Sequence, residues 1–145
     1  MKTLLFAIAA LFLIPAETSW SRTPVQSSEI HAISKRDKRL AWAFENQISE
    51  IRVICSGKVV YKLADDIADI RHQRFLIELA SGQTLLIVHN IDLVKRVKPL
   101  RLGDKVIVRG EYIWNDKGGL IHYTHRDPAG IQPSGWIKHR GVLYW

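Results

Sequence analysis

Cysteine is nearly absent from this 145-residue chain. Cys55 stands alone, so no internal disulfide can staple the fold, and it lies too far from the N-terminal apolar run to be a lipid-attachment cysteine. Stability must come from a packed core, in which Cys55 is expected as a small buried thiol. Long apolar runs are equally scarce. The one uninterrupted run, residues 4–14, has eleven members. At about 1.5 Å rise per residue it falls well short of a hydrocarbon layer about 30 Å thick. Five prolines and nine glycines are too few for a collagen-like or low-complexity chain. The sequence also has no internal repeat, phosphate-binding glycine loop, Gly-x-Ser-x-Gly elbow, His-Glu-x-x-His helix or EF-hand spacing. No named enzyme class is therefore indicated.

What is present describes one basic globular domain with an appendage: 47% hydrophobic and 24% charged residues, with 21 Lys+Arg against 14 Asp+Glu for a net charge of +7. Lys2, the apolar run and the small-residue breaker at 15–21 follow the plan of a secretory signal. Cleavage is expected after Ser21, with Ala16 as the competing site. The expected layout is a cleaved signal at 1–21, an arm and helix at 22–50, a β domain at 51–126 and a C-terminal extension at 127–145. Export to the periplasm or medium follows, with no membrane span left after cleavage.

Ser27 or Ser28 can cap a helix whose apolar positions Ile30, Ile33, Leu40, Ala43, Phe44 and Ile48 recur at helical spacing, with a break expected near Ser34. Its run Lys35-Arg36-Asp37-Lys38-Arg39 can face a polyanion or form a solvated face, and the solvated face is the preferred reading. From residue 51 the pattern turns to β-rich runs at 51–61, 73–79, 83–91, 105–114 and 120–125. Five strands, a longer link after the third that is limited by Pro99, and glycines at 57 and 110 where long strands can bend suit a mainly β fold. The expectation is a five-stranded barrel of the OB type with an N-terminal helix. The extension ends in a hairpin turning at Arg140-Gly141, with Trp136, Tyr144 and Trp145 expected to cover the barrel.

A two-residue turn at Ser81-Gly82 sets Phe75 opposite Val88, Ile77 opposite Leu86 and Leu79 opposite Thr84 as the core face. The outer face then carries Arg74 opposite His89, with His72 next along the strand and Leu76 opposite Ile87. A three-residue turn would reverse that, because a shift of one residue turns every side chain over. Such a patch of imidazoles and a planar guanidinium suits an anion. Across the second hairpin, a four-residue loop at 115–118 pairs Glu111 with His122 and Arg109 with Thr124. Carboxylate beside imidazole can orient the ring for proton transfer or metal binding. Asp65, Asp66 and Asp69 read as a solvated turn rather than a calcium loop.

Lys95, Arg96, Lys98, Arg101 and Lys105 add a basic rim, and Tyr112, Trp114 and Tyr123 add rings nearby. OB barrels bind single strands with such a combination.

The segments His72-Gln73-Arg74-Phe75, Gly82-Gln83-Thr84-Leu85-Leu86, His89-Asn90-Ile91-Asp92-Leu93 and Gly110-Glu111-Tyr112 with Trp114-Asn115 occur together with Lys117-Gly118-Gly119, His122, Thr124-His125, Asp127-Pro128, Gly135-Trp136 and His139. In this combination the chain resembles a bacterial family, domain of unknown function 3465, over roughly residues 51–144. The resemblance implies a small exported protein with one compact β domain and no assigned activity.

The first functional expectation is a binding module for an anionic ligand, single-stranded nucleic acid or a charged glycan fragment. Its site would comprise His72, Arg74, His89, Asn90, Lys95, Arg96, Lys98, Tyr112 and Trp114. That reading requires no cofactor. The alternative is a metal-dependent hydrolase or phosphodiesterase with zinc or another divalent ion on His122, His125 and Asp127, and with Glu111, His122 or His89 handling protons. A third expectation, an envelope structural or protein-interaction module, needs no site at all.

Overall fold

A computed structural model describes residues 27–145, with side chains from Lys35 onward; the expected signal segment lies outside the described residues. No helix among them is long and apolar enough to cross a membrane. Helix α1 (Ser27–Glu45) contains neither glycine nor proline and runs through Ser34 without the expected break. Leu40 and Ala43, three apart, are its fully buried contacts, with Ile48 packed against the same core just beyond it. Lys35, Arg36, Lys38 and Arg39 are exposed as expected, whereas Asp37 is buried. Its Oδ2 accepts a hydrogen bond from the Ser81 amide at 3.1 Å. The helix ends at Glu45, and just beyond it Gln47 takes a left-handed conformation (φ 55°) while Ile48 N reaches back to Ala43 O at 2.9 Å.

Five strands close a barrel: β1 (Ile51–Lys62), β2 (His72–Leu79), β3 (Thr84–Asn90), β4 (Lys105–Ile113) and β5 (Leu120–His122). The order around it is β1-β2-β3-β5-β4 and back to β1, with only β3–β5 parallel. This is the OB arrangement expected from the strand count. Inward positions alternate strictly along β1 (Val53, Cys55, Gly57, Val59) and β4 (Val106, Val108, Gly110, Tyr112). Phe75, Ile77, Leu79, Leu85, Ile87 and Ile121 fill the remaining interior. Each such aliphatic or aromatic side chain is worth about 1.5–3 kcal/mol of burial. Cys55 lies fully buried among them, and burial pushes its thiol up to about 12.

The two ends close differently. At one, Leu40 and Ala43 of α1 complete the core while Trp114 Nε1 donates to Phe44 O at 3.0 Å. At the other, Val97 and Leu100 of the β3–β4 link are buried, and Gln73 clamps the link by exchanging hydrogen bonds with both backbone groups of Val97. The C-terminal hairpin, β6 (Trp136–His139) and β7 (Val142–Tyr144), adds to β4 and turns at Arg140-Gly141, both with positive φ. Asp104 anchors it, accepting from His139 Nε2, Arg140 and the Arg101 amide at 2.9, 2.9 and 2.8 Å. The Arg140 hydrogen bond leads the causes that hold this carboxyl below its usual range. Tyr144 packs against the core, but Trp145 stays exposed beneath the Arg126 guanidinium.

Two register expectations divide. Glu111 does face His122, as the second hairpin predicted. The first hairpin is shifted by one: Glu78 pairs with Thr84, leaving Ala80-Ser81-Gly82 as a three-residue loop with Gly82 at φ 86°. That is the three-residue hairpin with glycine in the left-handed position. β3 therefore turns over: Leu85, Ile87 and His89 point inward, and Thr84, Leu86 and Val88 point outward. Arg74 pairs with Val88 and Phe75 with Ile87, replacing the expected Arg74–His89 and Leu76–Ile87 pairs. β5 also ends three residues early because Tyr123 adopts φ 48°, so Arg109 pairs with Trp136 and not with Thr124.

The inward glycines serve close approach between neighbouring strands. A Cβ on Gly110 would meet His122 O and would lie 2.6 Å from Ile121 Cγ2, and backbone cannot give way as a side-chain tip can. Gly110→Ala is expected to cost about 1–3 kcal/mol, read as a lower urea midpoint with an unchanged slope in equilibrium unfolding.

Candidate anion-binding site

The sequence-predicted ligand residues separate into two sets. Arg74, Arg96 and Lys98 come together with Lys62 around a groove of about 330 Å³ at the β3–β4 link end of the barrel. Much of that charge is engaged: Arg96 pairs with Asp65, Arg74 Nε donates to Ala64 O at 3.1 Å, and Lys62 Nζ donates to Leu100 O at 3.3 Å. His72 starts β2 opposite Asn90, whose Oδ1 accepts from the Asp92 and Leu93 amides in a tight local turn. Lys95 is exposed. The expected solvated turn spends Asp65 on Arg96 and Asp66 on the Ala68 amide.

His89, Tyr112 and Trp114 do not join them. His89 is fully buried, with Nδ1 2.8 Å from Thr124 Oγ1 and Nε2 3.2 Å from Lys95 O. Because a carbonyl can only accept, Nε2 carries the proton and the neutral ring accepts from the Thr124 hydroxyl. Tyr112 fills the barrel with its hydroxyl donating to Gly118 O at 3.2 Å, leaving no open ring face. Trp114 packs against the core beside α1. All three are positioned by the interior, which corrects the expectation of an outer patch at His89 and stacking rings at Tyr112 and Trp114.

The residues of the metal expectation are also individually committed. His122 Nε2 lies 3.2 Å from Glu111 Oε1, and His125 Nδ1 donates to Arg126 O at 2.8 Å. Asp127 accepts from the amides of Ala129, Ile131 and Gln132. The Gln132 bond leads in holding its carboxyl below the usual range. Tyr123 stands between the two histidines, stacked on His122 at 4.1 Å. Among the described residues no three His, Cys, Asp or Glu side chains gather closely enough to hold a metal ion. His122, His125 and Asp127 do not form a ligand set.

The strongest concentration of unpaired charge was missed by the sequence reading. Arg36 and Arg39 of α1, Arg52 of β1 and Arg109 of β4 line a cleft of about 320 Å³ floored by Val53 and Ile54. Among the described residues Arg36, Arg39 and Arg109 have no carboxylate within 4.0 Å. Arg52 Nε stands 3.9 Å from Glu111 Oε2, and its guanidinium lies 5.6 Å from the centre of the Tyr123 ring. Both terminal nitrogens of Arg52 are shielded and have no hydrogen-bond partner among the described residues. A shielded charged donor left unpaired costs more than the roughly 1–3 kcal/mol of a neutral one. The only local signal was the spacing of Arg36 and Arg39. Arg52 and Arg109 meet them solely through the β1–β4 pairing, in which Ile54 faces Arg109 and Arg52 faces Glu111.

The model of the family described as protein of unknown function (DUF3465) matches residues 23–145. The chain belongs to this family. The match to the DUF3465 family takes in α1 as well as the barrel, so both walls of the arginine cleft lie inside it. No curated protein matches the chain.

Burial lowers the His89 pKa from 6.5 to about 4. The unfolded chain therefore takes up a proton that the folded one refuses between those two values. The stabilising contribution is complete above about pH 6.5 and shrinks as the pH falls toward 4, by about 3 kcal/mol in all. Comparing urea unfolding of wild type and His89→Asn across that window tests it: the variant keeps the slope that the lowered carboxyls such as Asp127 contribute near pH 4 but loses the His89 share, so its fall in stability between about pH 6.5 and 4 is shallower than that of wild type.

Proposed function

We propose that this chain is an exported bacterial binding module for an anionic ligand, with single-stranded nucleic acid and charged glycan fragments as the ligand classes. Export is supported by Lys2, the short apolar run and the small residues after it. The observation that carries the binding reading is the cleft of Arg36, Arg39, Arg52 and Arg109, in which, among the described residues, the one carboxylate within 4.0 Å of a cleft arginine is Glu111, which already binds His122. Guanidinium groups match phosphate, sulfate and carboxylate through parallel N–H donors. Here they come from three elements joined by the fold, so the cleft is preorganised. The net charge of +7 adds attraction at long range.

Fluorescence anisotropy with a labelled single-stranded oligonucleotide and a labelled acidic oligosaccharide, each titrated over a range of salt, tests the reading. Binding is expected to weaken steeply as salt rises. Arg39→Glu with Arg109→Glu is expected to reduce affinity by about tenfold or more with an unchanged thermal midpoint. Absence of salt-dependent binding to either probe would sink it.

A further inference from the structure

The arginine cleft continues into a longer basic surface. Resting on the anion-binding reading, we infer that the ligand is an extended single-stranded nucleic acid, laid along the outer face of β1, β4 and β6.

The alternation that sends Val53, Cys55, Gly57 and Val59 inward sends Arg52, Ile54, Ser56 and Lys58 outward. On β4 the outward set is Lys105, Ile107, Arg109 and Glu111. The registers place these side by side: Arg52 with Glu111, Ile54 with Arg109, Ser56 with Ile107, and Lys58 with Lys105. β6 extends the same face, pairing Trp136 with Arg109 and Lys138 with Ile107. Cations thus recur from the cleft to the far end of the ladder, with Lys58, Lys105 and Lys138 all exposed. From Arg52 to Lys58 the strand rises about 20 Å, more than a single phosphate or mononucleotide occupies. Among the described residues the carboxylates on or beside this face include Glu111, held by His122 and Arg52, Asp104 next to Lys105, held by His139 and Arg140, and Glu78 across from Lys58 on β2.

OB barrels usually bind oligonucleotides on the face of their second and third strands. Here the middle of that face is Leu76, Leu86 and Val88, with Glu78 at one end. Its cations cluster in the groove where Arg96 and Arg74 are already engaged. Repulsion and the cost of breaking those pairs disfavour a polyanion there, while on the β1–β4–β6 face Lys58, Lys105 and Lys138 have no carboxylate within 4.0 Å among the described residues. Nucleic acid is favoured over an acidic glycan because the planar guanidinium groups of Arg36, Arg39 and Arg109 and the half-buried Trp136 ring supply flat surfaces for bases as well as charge.

The experiment compares oligothymidylates of about four and about twelve nucleotides, spanning typical OB site sizes, on wild type and two variants of equal charge change. One is Lys58→Glu, Lys105→Glu and Lys138→Glu; the other is Lys62→Glu and Lys98→Glu in the groove of Arg74 and Arg96, with Lys95→Glu on the link just before it. Wild type should bind the longer oligomer at least about tenfold more tightly, and the first variant should lose that gain. Its salt slope for the longer oligomer should fall by about 0.7 for each phosphate it no longer neutralises. The second variant should keep the length dependence. Loss of the gain in the second variant instead, length-independent binding by wild type, or tighter binding of an acidic oligosaccharide of matched charge would overturn the inference. In each of those outcomes anion binding itself survives; failure of wild type to bind any anionic probe removes the underlying reading.

Discussion

The antiparallel ladder between β1 and β4 is the constraint on which the molecule depends. Eight residue pairs, from Ile51–Tyr112 to Lys58–Lys105, join segments about fifty positions apart and turn an open sheet into a closed barrel. Closing so long a loop costs entropy that local contacts cannot return. The return comes from the inward side of the same ladder, where Val53, Cys55, Val59, Val106, Val108 and Tyr112 are all buried. The outward side is set by the same register. Arg52 and Arg109 become neighbours because Val53 and Val108 had to face the core.

Helix α1 answers two demands with one amphipathic pattern. Leu40 and Ala43 face the barrel core, and Asp37 receives the Ser81 amide, so the helix is tied to the β2–β3 loop by polar as well as apolar contact. Desolvation raises the Asp37 carboxyl pKa, and hydrogen bonds from the Ser81 and Ala80 backbone oppose that rise. The positions between the buried ones carry Arg36 and Arg39 into the cleft. Shifting the helix by one residue would bury a cation and empty the cleft together, so packing of the core and placement of the charge are mechanically linked.

The barrel class, the strand positions and the Glu111–His122 pair were legible in the sequence because each rests on a local pattern: alternation, glycine-bearing turns and a short hairpin. The candidate site was much less legible. One residue decided it, since Ala80-Ser81-Gly82 is compatible with a two-residue or a three-residue connection and only the second buries Leu85, Ile87 and His89. The presence of glycine at the third loop position was the available clue. Rings at Tyr112 and Trp114 looked like a binding surface because an aromatic in a strand reads alike whether it faces water or the core. The arginine cleft stayed hidden for a different reason: no local pattern reports a β1–β4 register or which way α1 leans on it.

Cys55 sits at the centre of this closed structure with no exposed surface. In an oxidising compartment, its enclosure is what keeps two copies from becoming covalently cross-linked. Any opening of the barrel wide enough to release that sulfur lets one chain be joined to another, turning a brief excursion into a permanent dimer. The rate at which such dimers accumulate is a clock for how often the barrel opens.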